Sequence, residues 1–307
     1  MSNFEFRQSR DDSWDYSRTH PRKVLIIIFD ILYIVGPVSL LIILLTAWRS
    51  RDVRRRPTWF MAVGSWVVIS VANTLLIGHQ TGLAEHIPHG ICLVQSILIY
   101  TSPVFCAFSA VSFLLQTYLA MSIYTLPNIS GVNTNIVVLY VVPCAISLSI
   151  VVEGLILGVS KPLYVERDAS GLYCNFSIST PRKITGGSIM CGLLIVLLIE
   201  ALMIVAFRQR AQNVAKLDKL EYAENRQAVY VDDLARVGAF TTCALVSFSV
   251  SLVQYMPKYM IDNGVVSVVQ ATLPCCAGLI FGSQKDILRA WLPRRSDETK
   301  AHFTQIP

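Results

Sequence analysis

Residues 24–48 read VLIIIFDILYIVGPVSLLIILLTAW, an apolar run in which Asp30 is the sole charge. An α-helix needs about 20 such residues to cross roughly 30 Å of hydrocarbon, where only helices and closed barrels satisfy their own backbone. Working outward, six further runs of this kind follow: Thr58 to Gly78, Ile91 to Tyr124, Asn135 to Gly158, Ile184 to Phe207, Val237 to Met256 and Val265 to Gly282. All 26 Lys and Arg lie outside the seven runs. A charge at the bilayer centre costs at least about 2.5 kcal/mol, so this exclusion argues for membrane spans more strongly than apolar content does. The expected fold is an all-α membrane protein, a seven-transmembrane helix bundle. Residues 1–23 would form an N-terminal tail, 24–282 the bundle, 283–292 an interfacial helix and 293–307 a second tail.

Composition agrees with that expectation. Of 307 residues, 53% are hydrophobic and 15% charged, against about 25% charged in ordinary soluble domains, and the mean hydropathy is +0.53. The net charge of +6 comes from short basic clusters between apolar runs. This is the pattern of a protein partnered by the lipid bilayer, with no nucleic acid implied. The first 23 residues are polar and lack the apolar core of a secretory signal peptide. No internal repeat relates the two halves, so a transporter built from recognisable inverted repeats is not indicated.

Basic residues also set an orientation. Arg49, Arg51, Arg54, Arg55 and Arg56 follow the first run; Arg208, Arg210, Lys216, Lys219, Arg226 and Arg236 follow the fifth; Lys285, Arg289, Arg294, Arg295 and Lys300 follow the last. Placing these in the cytosol puts the N-terminus outside a multi-pass protein of the plasma membrane, although Arg7, Arg10, Arg18, Arg22 and Lys23 in the tail pull the other way. In this topology the sequon Asn175-Phe176-Ser177 faces out and is the expected glycosylation site, while Asn128-Ile129-Ser130 faces in.

With that orientation Cys92, at the outer end of the third run, and Cys174, in the loop after the fourth, share the oxidising side and are expected to form a disulfide. Intramembrane carboxylates are Asp30, Glu153 and Glu200. They are costly to bury and default to functional candidates. Asp30 and Glu153 fall at a depth suited to an outer cavity, which Gln95, Tyr100, Gln254, Tyr255 and Gln270 could complete. Interhelical hydrogen bonding is an equal alternative for each of these residues, and Arg208 is an alternative partner for Glu200. Pro37, Pro103, Pro143 and Pro274 interrupt four runs. Gly154 and Gly158 suit either packing within the bundle or a contact between two copies. The third run is long enough to tilt or project, and Arg208 to Arg236 reads as helical extensions of the fifth and sixth.

Enzyme chemistry finds no support. There is no G-x-S-x-G, HExxH or P-loop, and the seventh run has no Lys for a Schiff base. His20, His79, His86, His89 and His302 sit in loops or at ends, so neither a cofactor nor a metal is expected. In SQKDILRAWL, residues 283–292, Ile287, Leu288, Trp291 and Leu292 recur at helical spacing, which suits an amphipathic helix on the cytosolic interface.

Taken together, these features resemble the G-protein-coupled receptor superfamily: an external N-terminus, seven spans, the Cys92 and Cys174 placement, a long third helix and an amphipathic helix after the seventh. The ending LPCCAGLIFGSQKDIL is similar to the Pro followed by FG-[ST]-x-[KR]-[DE] of fungal, mushroom-type heptahelical receptor-like proteins. The resemblance implies that Pro274 marks a kink in the seventh helix and that Phe281 and Gly282 form the joint into the interfacial helix. It also implies a small extracellular ligand, with a heterotrimeric G protein as candidate partner. The chain departs from ordinary rhodopsin-like receptors. QTYLAMSIY carries no Asp-Arg-Tyr, the seventh run no Asn-Pro-x-x-Tyr and the sixth no Cys-Trp-x-Pro. The expected function is a receptor signalling through cytosolic loops; the alternative is a transporter or lipid-handling protein using Asp30, Glu153 and Glu200.

Overall fold

The computed structural model describes residues 16–50, 55–80, 88–123, 136–168, 170–215 and 263–291, together with Gly238, Ala239, Thr241, Thr242, Leu245, Val246 and Ser249. Its helices are α1 (Tyr16–Arg49), α2 (Pro57–Thr74), α3 (His89–Ile123), α4 (Ile136–Ser160), α5 (Ser179–Ala215), α6 (Asn263–Gly282) and α7 (Lys285–Trp291). Between α4 and α5 lie two short strands, β1 (Val165–Arg167) and β2 (Cys174–Phe176). Among the described residues, five helical stretches are long and apolar enough to cross a membrane: Lys23–Arg49, His89–Ala120, Val137–Ser160, Ser179–Gln209 and Gly264–Gly282.

Local chemistry explains the boundaries. Pro57 opens α2 after an extended Arg56, as its fixed φ and missing N–H allow at a first helical position. Beyond Thr74 the chain turns through Gly78, whose φ of +92° is a conformation that disfavours a side chain. α1 begins at Tyr16, inside the stretch expected to be a tail, while its apolar part starts where expected. α5 continues past Phe207 to Ala215, in line with the expected extension; the remainder of that loop lies outside the described residues.

Polarity runs opposite to that of a soluble domain. Ile27, Ile31, Val38 and Leu45 on α1, Val138, Val141, Leu148 and Leu155 on α4, and Leu194, Leu198 and Val205 on α5 are exposed, while Ser65, Ser70, Ser96, Ser102 and Ser109 are buried. Aliphatic faces of this extent are stable only against hydrocarbon, and the chain is a multi-pass membrane protein. α3 is central, packed against α2, α4, α5 and β2, whereas α1 packs against α2 and α6.

Small residues bring the backbones together where they pack. A Cβ on Gly36 of α1 would lie 2.7 Å from the Pro274 Cβ of α6, and one on Gly282 would lie 3.1 Å from Ile43. Gly278 opposes Ser39 between these two points, so Pro274, Gly278 and Gly282 form a ladder at four-residue spacing against α1. Gly154 and Gly158 of α4 face Ile97 and Leu93 of α3, which assigns that pair to packing within the bundle. The described residues of the sixth apolar run are helical, with Thr242 Oγ1 donating to Gly238 O (2.8 Å) and Ser249 Oγ to Leu245 O (2.8 Å).

Candidate functional site at the mouth of the bundle

The α4–α5 loop folds as an antiparallel hairpin whose register pairs Val165 with Phe176 and Arg167 with Cys174. Its turn is fixed by Asp168, whose Oδ2 accepts from the Ser170 N–H (2.9 Å) and Oγ (2.6 Å), and by Gly171 at φ +76°. Asp168 N donates to Tyr173 O and Ser177 N to Tyr164 O, both at 2.9 Å. Bonded pairs alternate in an antiparallel ladder, so the N–H of Cys174 turns away from β1 and needs a partner elsewhere.

Gln95 provides it. This fully buried α3 side chain accepts from Cys174 N at 3.0 Å and donates to Ala72 O of α2 at 3.3 Å. One turn earlier, Cys92 is joined to Cys174 by a disulfide with Cα atoms 5.3 Å apart, packed with Leu76 and Val165. Gln95, expected to line a ligand pocket, therefore has both ends occupied in holding the hairpin.

A second set of contacts ties the hairpin to α1 and α2. Arg167 Nη2 donates to Gln80 O (2.5 Å) and Gly171 O (2.9 Å), and Gln80 Nε2 reaches Leu172 O at 3.4 Å. The Asp30 carboxylate interacts with the Gln80 side chain, and its Oδ1 is buried without a hydrogen-bond partner among the described residues. Leu172 inserts into the core beside Phe29 and Tyr33 of α1, and Tyr173 packs on the same cluster while hydrogen-bonding Ser267 of α6. Burial pushes the Tyr173 phenol above its ordinary range, and the negative charge of Asp168 adds to the effect. On the other side Tyr100 stacks on Phe176 with ring centroids 5.7 Å apart, accepts at its carbonyl from Thr185 Oγ1 (3.3 Å) and has Arg182 near its hydroxyl.

The structure thus gathers Asp30, Gln95 and Tyr100 around the hairpin. Gln270 is half-buried on α6, one turn along from Ser267. Glu153 lies half-buried on α4, which packs against α3 and α5, so it belongs to a different wall from Asp30. Glu200 accepts from Thr241 Oγ1 at 2.5 Å, which takes the place of the Arg208 partner considered above. Gln254 and Tyr255 lie outside the described residues, as do His86 and Asn128. Among the described residues no group of three His, Cys, Asp or Glu could hold a metal ion.

Asn175, the expected glycosylation site, is 8% exposed, and its Nδ2 donates to Asp168 Oδ1 at 3.0 Å. Arg167, Leu172, Tyr173 and Gln80 were not singled out from sequence. The available signal was the turn-forming Asp168-Ala169-Ser170-Gly171 between short β-prone segments.

The arrangement defines an apolar helical membrane bundle whose mouth is closed by a disulfide-pinned hairpin. Among solved structures the chain is similar to squid rhodopsin, with a TM-score of 0.68 and 13% identity over 94% of this chain and 88% of that one. The fold is therefore that of squid rhodopsin. No family model matches the sequence, and no curated protein matches it in sequence.

Proposed function

We propose that this chain is a seven-span, G-protein-coupled-receptor-like protein of the plasma membrane, with its N-terminus outside. It senses a small extracellular ligand between the helices and signals through its cytosolic loops to a heterotrimeric G protein. The observation that carries this reading is the rhodopsin-like fold over nearly the whole chain, with a hairpin tied to α3 by the Cys92–Cys174 bridge over the end where Tyr173 meets Ser267 and Asp30 meets Gln80. A ligand that binds better with the hairpin and helices in one arrangement would shift the population towards it. The finer parts of the reading are the sixth span through residues 237–256, the fungal-type ending and α7 lying at the cytosolic interface. The divisions at 23, 282 and 292 serve as working domain boundaries.

The transport alternative loses ground because its three carboxylates have separate surroundings. Asp30 meets Gln80, Glu200 meets Thr241, and Glu153 sits on α4. The test has two arms. Membrane-impermeant maleimide on intact cells should label a Ser2→Cys variant and spare Thr299→Cys. The purified chain in nanodiscs, screened with small metabolites, should then accelerate nucleotide exchange on a heterotrimeric G protein. Labelling at Thr299→Cys alone, or solute uptake that disappears in Asp30→Asn without any nucleotide exchange, would overturn the proposal.

A further inference from the structure

The short segment that carries the chain from α4 into the hairpin presents an apolar side chain outward. Lys161 leaves the helical path at φ −139° and ψ 69°, and Pro162–Tyr164 forms a single 3₁₀ turn. Both flanks of that turn are held. The Tyr164 N–H donates to Lys161 O at 3.0 Å, Tyr164 O accepts from Ser177 N of the hairpin at 2.9 Å, and His89 Nε2 at the start of α3 lies 3.3 Å from Pro162 O. Between these fixed points Leu163 is 93% exposed, more than any other large apolar side chain among the described residues. Val159, four residues earlier, is 72% exposed, and Ile156, Val152 and Leu148 continue the exposed row along α4. Within the same turn the Lys161 ammonium lies over the Tyr164 ring, 5.4 Å from its centroid.

The length of α4 sets the level of this turn in a membrane. Its apolar stretch, Val137–Ser160, has 24 residues, or about 36 Å of helix at about 1.5 Å per residue, against about 30 Å of hydrocarbon. The end of α4 therefore reaches the headgroup layer, and the turn that follows it at once, fastened to the start of α3 by His89, lies at that level. Transfer from water to acyl chains favours an exposed leucine by more than about tenfold. Tyrosine settles at the same level, and lysine extends its ammonium past an apolar stem to phosphate. A second copy of the chain seated here would have to bury the Lys161 charge along with Leu163, whereas lipid leaves that charge among phosphates. We infer that the turn at residues 161–164 is a phospholipid-binding anchor for the hairpin, with Leu163 set into the acyl layer of the adjacent leaflet and Lys161 at a lipid phosphate. The hairpin is then held on its bundle side by the Cys92–Cys174 bridge and on its outer flank by the membrane. The inference rests on the membrane reading of the bundle and needs neither an extracellular ligand nor a G protein.

Hydroxyl-radical footprinting of the wild type in nanodiscs of dioleoyl phosphatidylcholine gives the first test, because the radicals form in water and no variant has to fold. After correction for intrinsic reactivity, Leu163 should be oxidised at least about tenfold more slowly than His79, an exposed side chain beyond α2. Oxidation of Leu163 within about threefold of His79 would overturn the inference. The occupant is identified by placing the photocrosslinking residue benzoylphenylalanine at position 163 and, as a reference on the exposed row of α4, at position 159. Both positions should give phosphatidylcholine adducts by mass spectrometry. Adducts of position 163 with a second copy of the chain, or lipid adducts at 159 with none at 163, would overturn the inference.

Discussion

Replacing Gln95 with Leu isolates the contact that holds the hairpin over the bundle. Leu is close to Gln in volume, so the α3 packing is kept while both hydrogen bonds are lost, the one from Cys174 N at 3.0 Å and the one to Ala72 O at 3.3 Å. Ala72 O also loses its Gln95 donor, but that loss falls on the α2–α3 contact and is the same with the hairpin open or closed. Cys174 N, fully buried and turned away from β1, is left with nothing, and an orphaned buried N–H costs about 1–3 kcal/mol. Taking about 2 kcal/mol, the opening equilibrium of the hairpin should rise by about 30-fold. The Cys92–Cys174 bridge keeps the strand tethered, so the change should be local. Hydrogen exchange followed by mass spectrometry on the peptide spanning residues 170–178 reads it directly. Exchange near Cys174 should accelerate about 30-fold while the α1 and α6 amides keep their rates. Gln116→Leu, which removes the Thr58 contact at the opposite end of α3, serves as a control that leaves the hairpin alone. Exchange within about threefold of wild type in Gln95→Leu, or acceleration spread over the whole bundle, would refute the assignment of Gln95 as the hairpin clamp.

Four further outcomes follow from the same structure. Gly36→Leu must displace Pro274 at the α1–α6 contact and should cost about 1–3 kcal/mol, seen as a lower thermal midpoint in detergent; Gly64→Leu, with nothing within 4 Å, should leave it nearly unchanged. A double-mutant cycle on Glu200→Leu and Thr241→Val should give a coupling of about 0.6–1.7 kcal/mol, the range of interhelical hydrogen bonds in membranes, and a coupling of zero would remove this link between α5 and the sixth apolar run. The Tyr173 phenol has a folded pKa raised by burial, so its contribution to stability is complete below the ordinary value of about 10 and is lost as pH rises through the raised one. Tyr173→Phe should delete one late-ionising phenol from a phenolate absorbance titration. Glycosidase treatment of protein made in a eukaryotic membrane should produce no shift that depends on Asn175, because its Nδ2 is bonded to Asp168.

The membrane class, the positions of the apolar runs and the Cys92–Cys174 pairing could be read from the chain alone. Hydrocarbon forces every span to be long, apolar and internally hydrogen-bonded, and those demands are written in local composition. The same one-dimensional logic marked Pro274 and the helical spacing of Ile287, Leu288 and Trp291. It could not assign partners. Gln95 and Asp30 looked alike as polar residues near the outer surface, yet Gln95 is spent on Cys174 N and Ala72 O while Asp30 turns to Gln80 with one oxygen left over. Glu153 and Asp30 lie at similar distances from the ends of their apolar runs, but packing puts α4 and α1 on different walls of the bundle. Asn175 matched a sequon, and only the hairpin register buried its amide against Asp168. Arg55 was one arginine among five until α7 folded back and presented Asp286. Position along a helix is set by position along the chain, and so the sequence alone determined it. Which side chains meet at a given depth depends on how helices far apart in sequence rotate and pack, and that was decided by the tertiary structure.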